Sequence, residues 1–322
     1  MTSAFSIFPS RRGVVATLGL AALGGLSLFV GVSPLPPGRL LSDPQALQLL
    51  VVSRLPRTLA ALLAGAGLAI AGLIMQTLAR NRFVEPATAG TAQSAELGIL
   101  LVTLLWPAAA LPLKTLIAAG MAMAGTALFL ATAHRLPPTQ PFLVPLFGIV
   151  YGGVIGAAAT FAAWQAGLLQ FLSIWTSGDF SGVLRGRYEL LWLSAAMVAV
   201  AWVAADRLTI MALGRDAAIG LGIDPARMMQ LGLVIVSVVT ALTVVVVGMI
   251  PFVGLVVPNL AARLIGDNMR ATLGWVAFGG ATLVLGCDIA GRLIRFPYEI
   301  PVGTVMGVVG GILFLWLLLR RS

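Results

Sequence analysis

Apolar runs of about 20 residues recur along this chain, and arginines or prolines bound most of them. A helix needs about 20 mostly apolar residues to cross a bilayer. Of the 322 residues, 59% are hydrophobic and only 10% are charged, whereas a soluble domain is about half apolar and about one quarter charged. The runs therefore exclude a soluble enzyme and predict an all-α integral membrane protein with about ten spans.

The ten predicted spans form a single transmembrane domain over residues 1–322. Between the fifth and sixth, the mixed segment Gly167–Tyr188 predicts a short interfacial element, and residues 206–228 form the longest polar stretch inside the chain. These spans leave no room for a nucleotide-binding or catalytic domain, so any energy source must come from a partner. We place the spans at about Val14–Val32, Thr58–Leu78, Ser94–Leu105, Leu116–Ala133, Leu143–Trp164, Leu190–Ala205, Met229–Ile250, Pro251–Leu264, Leu273–Leu293 and Val302–Leu319.

The net charge of +9 would suggest a nucleic-acid partner in a soluble protein. Here the basic residues stand singly or in pairs at the ends of apolar runs, which indicates membrane orientation and docking instead, with no nucleic acid. Ten spans put both termini on one side, and the positive-inside rule favours the cytoplasm for that side. Several arginines still fall in outer loops, and an Arg-rich outer surface predicts an acidic partner there.

Two runs of glycine repeat every four residues, one in the fifth predicted span and one in the tenth. Small residues at this spacing form a flat stripe that allows close approach of another helix or of a substrate. Helix packing alone explains such a stripe. The alternative is that both helices line one pathway, since they take matching places in two groups of four spans, as in an internal repeat. The glycines are Gly148, Gly152, Gly156, Gly303, Gly307 and Gly311.

Few side chains in the chain could carry chemistry. With one cysteine and one histidine, we expect no metal site; Cys287 is predicted to be a packing residue and His134 a surface residue. Asp288 stands in an apolar run four residues before Arg292, so the two can pair on one helix face. Glu96 either faces a pathway or lies at the inner interface.

Four stretches in order along the chain carry a family resemblance. They are Arg54–Ala69 with Gly72, Met75, Gln76 and Asn81–Pro86 after it; Leu213–Asp224; Phe252–Arg263; and Asp288–Arg292 followed by Glu299–Gly303. Together they resemble the permease subunits of type II ABC importers for iron–siderophores, haem and vitamin B12. Asn259 and the stretch Arg295–Pro301 look most like permeases for catecholate-type iron chelates.

The resemblance implies an inner-membrane permease with both termini cytoplasmic. Its expected partners are two cytoplasmic ATPases, which hold ATP and Mg, a second identical or homologous permease subunit, a periplasmic binding protein and a ferric siderophore. No cofactor is expected in this chain. A haem or cobalamin importer is an alternative. A secondary transporter driven by an ion gradient is another, for which only Glu96 and Asp288 offer ion-binding carboxylates.

The resemblance also implies roles for individual residues. Arg54, Arg57, Arg292 and Arg295 would dock the binding protein. Asn81 and Phe83 would form an inner gate, although Arg82 replaces the usual proline of that turn. The two glycine stripes would line the translocation path. A short helix ending before Gly222 would couple to the ATPase, through Gly214, Arg215, Asp216, Ala217, Ala218, Gly220, Leu221 and Gly222.

Overall fold

The computed structural model describes residues 11–33, 38, 43–137, 140, 142–266 and 268–319, and most of these are helical. The all-α prediction is confirmed. The helices are α1 (Arg11–Phe29), α2 (Pro44–Leu49), α3 (Leu55–Leu78), α4 (Thr91–Leu105), α5 (Leu111–Ala133), α6 (Leu143–Gln165), α7 (Leu169–Ser177), α8 (Leu191–Ala212), α9 (Arg215–Gly220), α10 (Pro225–Val246), α11 (Val253–Ile265), α12 (Met269–Ile294) and α13 (Val302–Leu319).

Ten of these helices correspond to the ten predicted spans. Seven helical segments in the described part of the chain are long and apolar enough to cross a membrane. The other three, which lie in α1, α4 and α11, are apolar but shorter. The predicted interfacial element contains α7, and the polar stretch 206–228 contains α9.

The second predicted span begins too late, because the helix already starts at Pro44. Asp43 caps it by accepting a hydrogen bond from the Gln45 N–H at 2.9 Å, and Pro44 suits a first helical position. A π-helical turn, Leu50–Arg54, joins α2 to α3. Pro56 causes this irregularity, since it cannot donate to the carbonyl of Val52. That carbonyl instead accepts from the Arg185 N–H at 2.9 Å.

Helix α3 is the centre of the bundle and packs against α8, α10, α11 and α12. Two glycine contacts bring the backbones together. A Cβ on Gly65 would lie 2.4 Å from the carbonyl oxygen of Gly280, and one on Gly72 would lie 2.1 Å from that of Gly254. These contacts exclude any larger residue, as expected for helix packing in a membrane.

Two short helices, α4 and α11, begin in buried surroundings rather than at an end of the bundle. The turn before α4 (residues 79–90) meets the turn before α11 (residues 247–252). Glu85 Oε1 accepts from the Phe252 N–H at 2.8 Å, and Gln76 donates to the Gly254 carbonyl at 3.0 Å. Non-helical backbone at this depth is typical of transporters, where it lies beside cavities.

Candidate functional site

The bundle has two ends that are used below as reference points. The termini end is where α1 begins and α13 ends, and the far end is the opposite one. The predicted docking arginines lie at the far end, and the predicted coupling helix lies at the termini end. The glycine stripes lie between them.

A buried ionic cluster at the far end joins three segments of the chain. Arg57 on α3 donates to Asp288 on α12 at 2.8 Å and to Glu299, before α13, at 2.7 Å. Arg292 Nη2 lies 2.6 Å from Asp288 Oδ2. The predicted pairing of Asp288 with Arg292 is therefore confirmed, but Asp288 also neutralises Arg57.

The same cluster holds the C-terminal end of α1. Arg292 Nη1 donates to the Ser27 carbonyl at 2.9 Å and to the Val30 carbonyl at 2.7 Å. Arg54 donates to the Val30 carbonyl at 2.7 Å. The last carbonyls of a helix carry the partial negative charge of its dipole, so nearby cations stabilise that end of the helix. These arginines therefore fasten α1 to α3 and α12.

Burial distinguishes the four arginines predicted to dock a partner. Arg54, Arg57 and Arg292 are 7%, 8% and 2% exposed, whereas Arg295 is exposed. The first three are buried because they bond to groups within the chain. Docking by the four residues stays a prediction, and Arg185, Arg187 and Arg295 are exposed at this end.

Glu299 is the member of this cluster to which the sequence assigned no role. Its carboxylate is 242 residues from Arg57 along the chain, so no local spacing could reveal the pair. Ser27 is similar: its hydroxyl accepts from Arg292 at 2.7 Å and bonds Thr58 at 2.8 Å. An apolar run with one serine gives no signal of such a contact.

The glycines of the α6 stripe have two different roles. A Cβ on Gly148 would lie 2.4 Å from the Thr88 carbonyl oxygen, so this glycine is required for packing. A Cβ on Gly156 would touch only Gln93, at 3.8 Å. Gly148, Gly152 and Gly156 all line one cavity of about 350 Å³, which also contains Glu96. The structure thus places Glu96 in the wall of a cavity beside α6.

The α13 stripe divides in the same way. Gly303 packs tightly, with its Cβ position 2.4 Å from the Ser177 carbonyl oxygen. Gly307 and Gly311 have nothing within 4 Å of theirs. The second pair therefore leaves a flat, open surface on α13, which suits either a pathway or a neighbouring helix.

The predicted gate residues lie in the turn between α3 and α4. Asn81 is buried, and its side-chain oxygen accepts from the Phe83 N–H at 2.9 Å. The Phe83 ring stacks on Phe142 with ring centroids 5.4 Å apart and meets Phe314 of α13 at 6.1 Å. The Arg82 carbonyl accepts from Asn259 of α11 at 2.7 Å. The turn is thus held against α6, α11 and α13.

The predicted coupling helix is present as α9, at the termini end. Gly214 precedes it with φ 118° and Gly222 follows it with φ 76°, and both conformations favour glycine. The Ile223 N–H bonds the Ala218 carbonyl at 2.9 Å, which completes the C-terminal cap. The predicted helix stop at Gly222 is confirmed.

One face of α9 is open and apolar. Leu213, Ile219 and Leu221 are exposed, as is Ala217, whereas Ala218 is fully buried. The side chain of Arg215 lies outside the described residues. A short helix that presents apolar side chains at an aqueous end of the bundle is typical of a protein interface.

The fold and these features define a multi-pass membrane protein of the transporter type. Residues 19–320 match the FecCD transport family, and the chain belongs to this family. It is 43% identical to the petrobactin import system permease protein YclN of Bacillus subtilis, over 94% of this chain and 96% of that protein.

Two further similarities extend over the whole chain. The ferric-anguibactin transport system permease protein FatD of Vibrio anguillarum is 40% identical over 95% of this chain and 98% of its own length. Among solved structures, a metal-chelate type ABC transporter in an inward-facing conformation superposes with a TM-score of 0.81. It is 24% identical, over 95% of this chain and 98% of that one, and supports the fold.

Proposed function

We propose that this chain is the permease subunit of an ABC importer that passes a ferric siderophore, of catecholate type, from a periplasmic binding protein to the cytoplasm. It acts in the inner membrane with both termini cytoplasmic, beside a second permease subunit. The observation that carries this proposal is the full-length similarity to two permeases named for siderophores, at 40% identity or more.

The open face of α9 supports an ATPase partner. Leu213, Ile219 and Leu221 expose apolar side chains at the termini end, and contact with a groove on another protein would cover them. ATP and Mg bind to that partner, whose closure would move α9 together with α8 and α10. A transporter driven by an ion gradient has no ATPase partner that would cover the apolar face of α9.

The chemistry of the interior supports a substrate that arrives already chelated. Within the described residues, no group of three or more His, Cys, Asp or Glu side chains could hold a metal ion. The open glycines of α13, Gly307 and Gly311, present backbone without side chains instead. Such walls suit a large polar chelate that must be passed on rather than bound tightly.

Contact with the ATPase is tested by crosslinking. Ala217→Cys places a thiol on the exposed face of α9, and we expect it to crosslink to the ATPase in a nucleotide-dependent manner. Leu105→Cys is the matched control, because Leu105 is also exposed but lies at the far end. Equal crosslinking at both positions, or none at Ala217→Cys, would contradict the coupling role.

The substrate is tested by uptake in cells that lack their own ferric-chelate permeases. The chain is expressed with its ATPase, binding protein and second permease, and accumulation of radioactive iron is measured from catecholate, hydroxamate and citrate chelates, beside labelled cobalamin. We expect ferric catecholate to accumulate, and Leu221→Ala to reduce that accumulation while Leu105→Ala does not. Accumulation of cobalamin alone would refute the proposal.

A further inference from the structure

Helix α11 begins without a cap from its own sequence. Phe252 stands before its first turn, and a phenyl side chain cannot accept a hydrogen bond from the first N–H groups of the helix. Phe252 also has φ 67°, in the left-handed region that bulky residues rarely adopt. It is packed closely against α13, since a Cβ on Gly310 would lie 2.4 Å from the Phe252 Cβ. A residue in such a conformation persists only where its surroundings hold it.

Glu85 supplies the missing acceptor from the turn between α3 and α4. Its Oε1 accepts from the Phe252 N–H at 2.8 Å, and backbone hydrogen bonds from Gly254 and Leu255 stabilise the same carboxyl group. Glu85 is 2% exposed, so bulk water does not replace it as the acceptor. A carboxylate suits this position because the first turn of a helix carries the partial positive charge of its dipole. Glu85 thus caps α11, although 167 residues separate it from Phe252 along the chain.

Three further contacts hold α11 against α3 and the turn that follows it. Gln76, near the end of α3, donates to the Gly254 carbonyl at 3.0 Å. A Cβ on Gly72 would lie 2.1 Å from the oxygen of that same carbonyl. Asn259, in the middle of α11, donates to the Arg82 carbonyl of the turn at 2.7 Å. Together with the cap, these contacts attach the turn and the end of α3 to both the start and the middle of α11.

The turn attached in this way carries the two predicted gate residues. Asn81 and Phe83 lie just before Glu85, and the Asn81 side chain fixes the Phe83 N–H at 2.9 Å. The Phe83 ring meets Phe314 of α13 with ring centroids 6.1 Å apart, and the Phe252 ring meets the same Phe314 ring at 6.4 Å. The gate turn, the start of α11 and Phe314 therefore form one contiguous group of contacts, in which Glu85 joins the first two.

We propose that Glu85 is the positioning residue of the inner gate. By capping α11, its carboxylate keeps the turn of Asn81 and Phe83 attached to this helix, so that the turn and α11 move together when the gate opens or closes. Because Glu85 is buried, it acts through the turn and not by contact with a substrate. The attachment is a property of the fold, whereas its consequence for gating rests on the proposed transport function. The two are therefore measured separately.

The attachment is tested by hydrogen exchange of the assembled importer in lipid nanodiscs, with mass spectrometry of peptides that cover residues 79–90 and 247–256. We expect Glu85→Leu to raise the exchange rate about tenfold or more in both segments, because a hydrogen bond to a charged group is lost. Glu85→Gln should keep the slow exchange of the unaltered chain, since its amide oxygen can still accept from the Phe252 N–H.

Thr58→Val is the matched control for loss of a buried hydrogen bond. Thr58 is also buried, and its hydroxyl bonds Ser27 at 2.8 Å at the far end of the bundle. This variant should leave exchange in the two segments unchanged. Unchanged exchange in Glu85→Leu would overturn the proposal. Equal increases in Glu85→Leu and Glu85→Gln would also overturn it, because the acceptor oxygen would then have no role.

The consequence for the gate is measured as leak of the anionic dye calcein from proteoliposomes that contain the assembled importer without nucleotide. We expect Glu85→Leu to raise the leak about tenfold, and Glu85→Gln and Thr58→Val to leave it unchanged. In a chain that already carries Asn81→Ala and Phe83→Ala, Glu85→Leu should add little, because the side chains that it positions are gone. Equal increases in both backgrounds would show a general loss of structure and overturn the positioning role.

Asn259→Ala tests the same attachment at a half-buried position, and it decides the matter if Glu85→Leu does not fold. We expect a smaller rise in both exchange and leak, because one hydrogen bond to the turn is lost. Slow exchange together with sealed vesicles in this variant would overturn the proposal. Uptake of ferric catecholate is measured separately, so a chain that seals calcein through Glu85 but carries another substrate would refute the proposed substrate and leave the gate assignment supported.

Discussion

Replacing Asp288 with Ala tests the ionic cluster that joins α1, α3 and α12. The cluster already carries an excess of positive charge within the described residues, because it combines three arginines with two carboxylates. Its members are Arg54, Arg57, Arg292, Asp288 and Glu299. The Asp288 side chain is 2% exposed and neutralises both Arg57 and Arg292. Its removal leaves two buried guanidinium groups, of which Glu299 pairs with Arg57.

The expected cost is about 3–5 kcal/mol of unfolding free energy, because removing one partner of a buried pair leaves an uncompensated charge. The matched variant is Glu299→Ala. Glu299 bonds the same arginine at 2.7 Å, but its side chain is 23% exposed, and water screens the remaining charge. Its loss should cost about 1 kcal/mol or less.

The two variants are compared by equilibrium unfolding of the purified chain in mixed detergent micelles. The double variant Asp288→Leu with Arg292→Leu should recover part of the loss, since it removes a charge together with its partner. Equal costs for Asp288→Ala and Glu299→Ala would refute the reasoning, because burial would then have no effect on the strength of these pairs.

Three further perturbations address the core, the gate and the docking surface. Gly72→Ala should destabilise the chain by about 1–3 kcal/mol through overpacking, since its Cβ would lie 2.1 Å from the Gly254 carbonyl oxygen. Gly307→Ala is the control and should not destabilise the chain, because a Cβ there has nothing within 4 Å. Equal unfolding free energies of the two variants would contradict the packing role of Gly72. Asn81→Ala with Phe83→Ala should raise nucleotide-independent leak of chelate from sealed vesicles, because it removes the ring contacts to Phe142 and Phe314, and a tightly sealed double variant would refute the gate. Arg295→Glu should weaken association with the binding protein in pull-down assays while expression is retained. Arg54→Glu should instead lower expression, because the Arg54 guanidinium is buried against α1. Full expression of Arg54→Glu with loss of docking would show that the partner reaches Arg54.

Several features that depend on residues close together in the sequence were predicted correctly. Apolar runs located the spans, and Gly222 located the end of α9, whereas the predicted start at Met229 was four residues late for α10, which begins at Pro225. The spacing of four residues between Asp288 and Arg292 located their ion pair. Each of these features depends on neighbours within about two helical turns.

Features that depend on distant contacts could not be predicted in this way. Arg57 and Asp288 are 231 residues apart, and an arginine at the end of an apolar run gives the same pattern whether it is exposed or buried. The early start at Pro44 was missed because proline and aspartate also mark loops. The location of Glu96 in a cavity wall could not be predicted, because it depends on where α6 packs against α4.

The central claim is that ATP hydrolysis on a partner drives a ferric siderophore past this chain. The most direct measurement is iron accumulation in proteoliposomes that contain the assembled importer, with binding protein and ferric catecholate outside and ATP with Mg inside. The account predicts accumulation that requires ATP and the binding protein and continues when sodium and proton gradients are collapsed. Accumulation that needs an ion gradient and proceeds without ATP would contradict it.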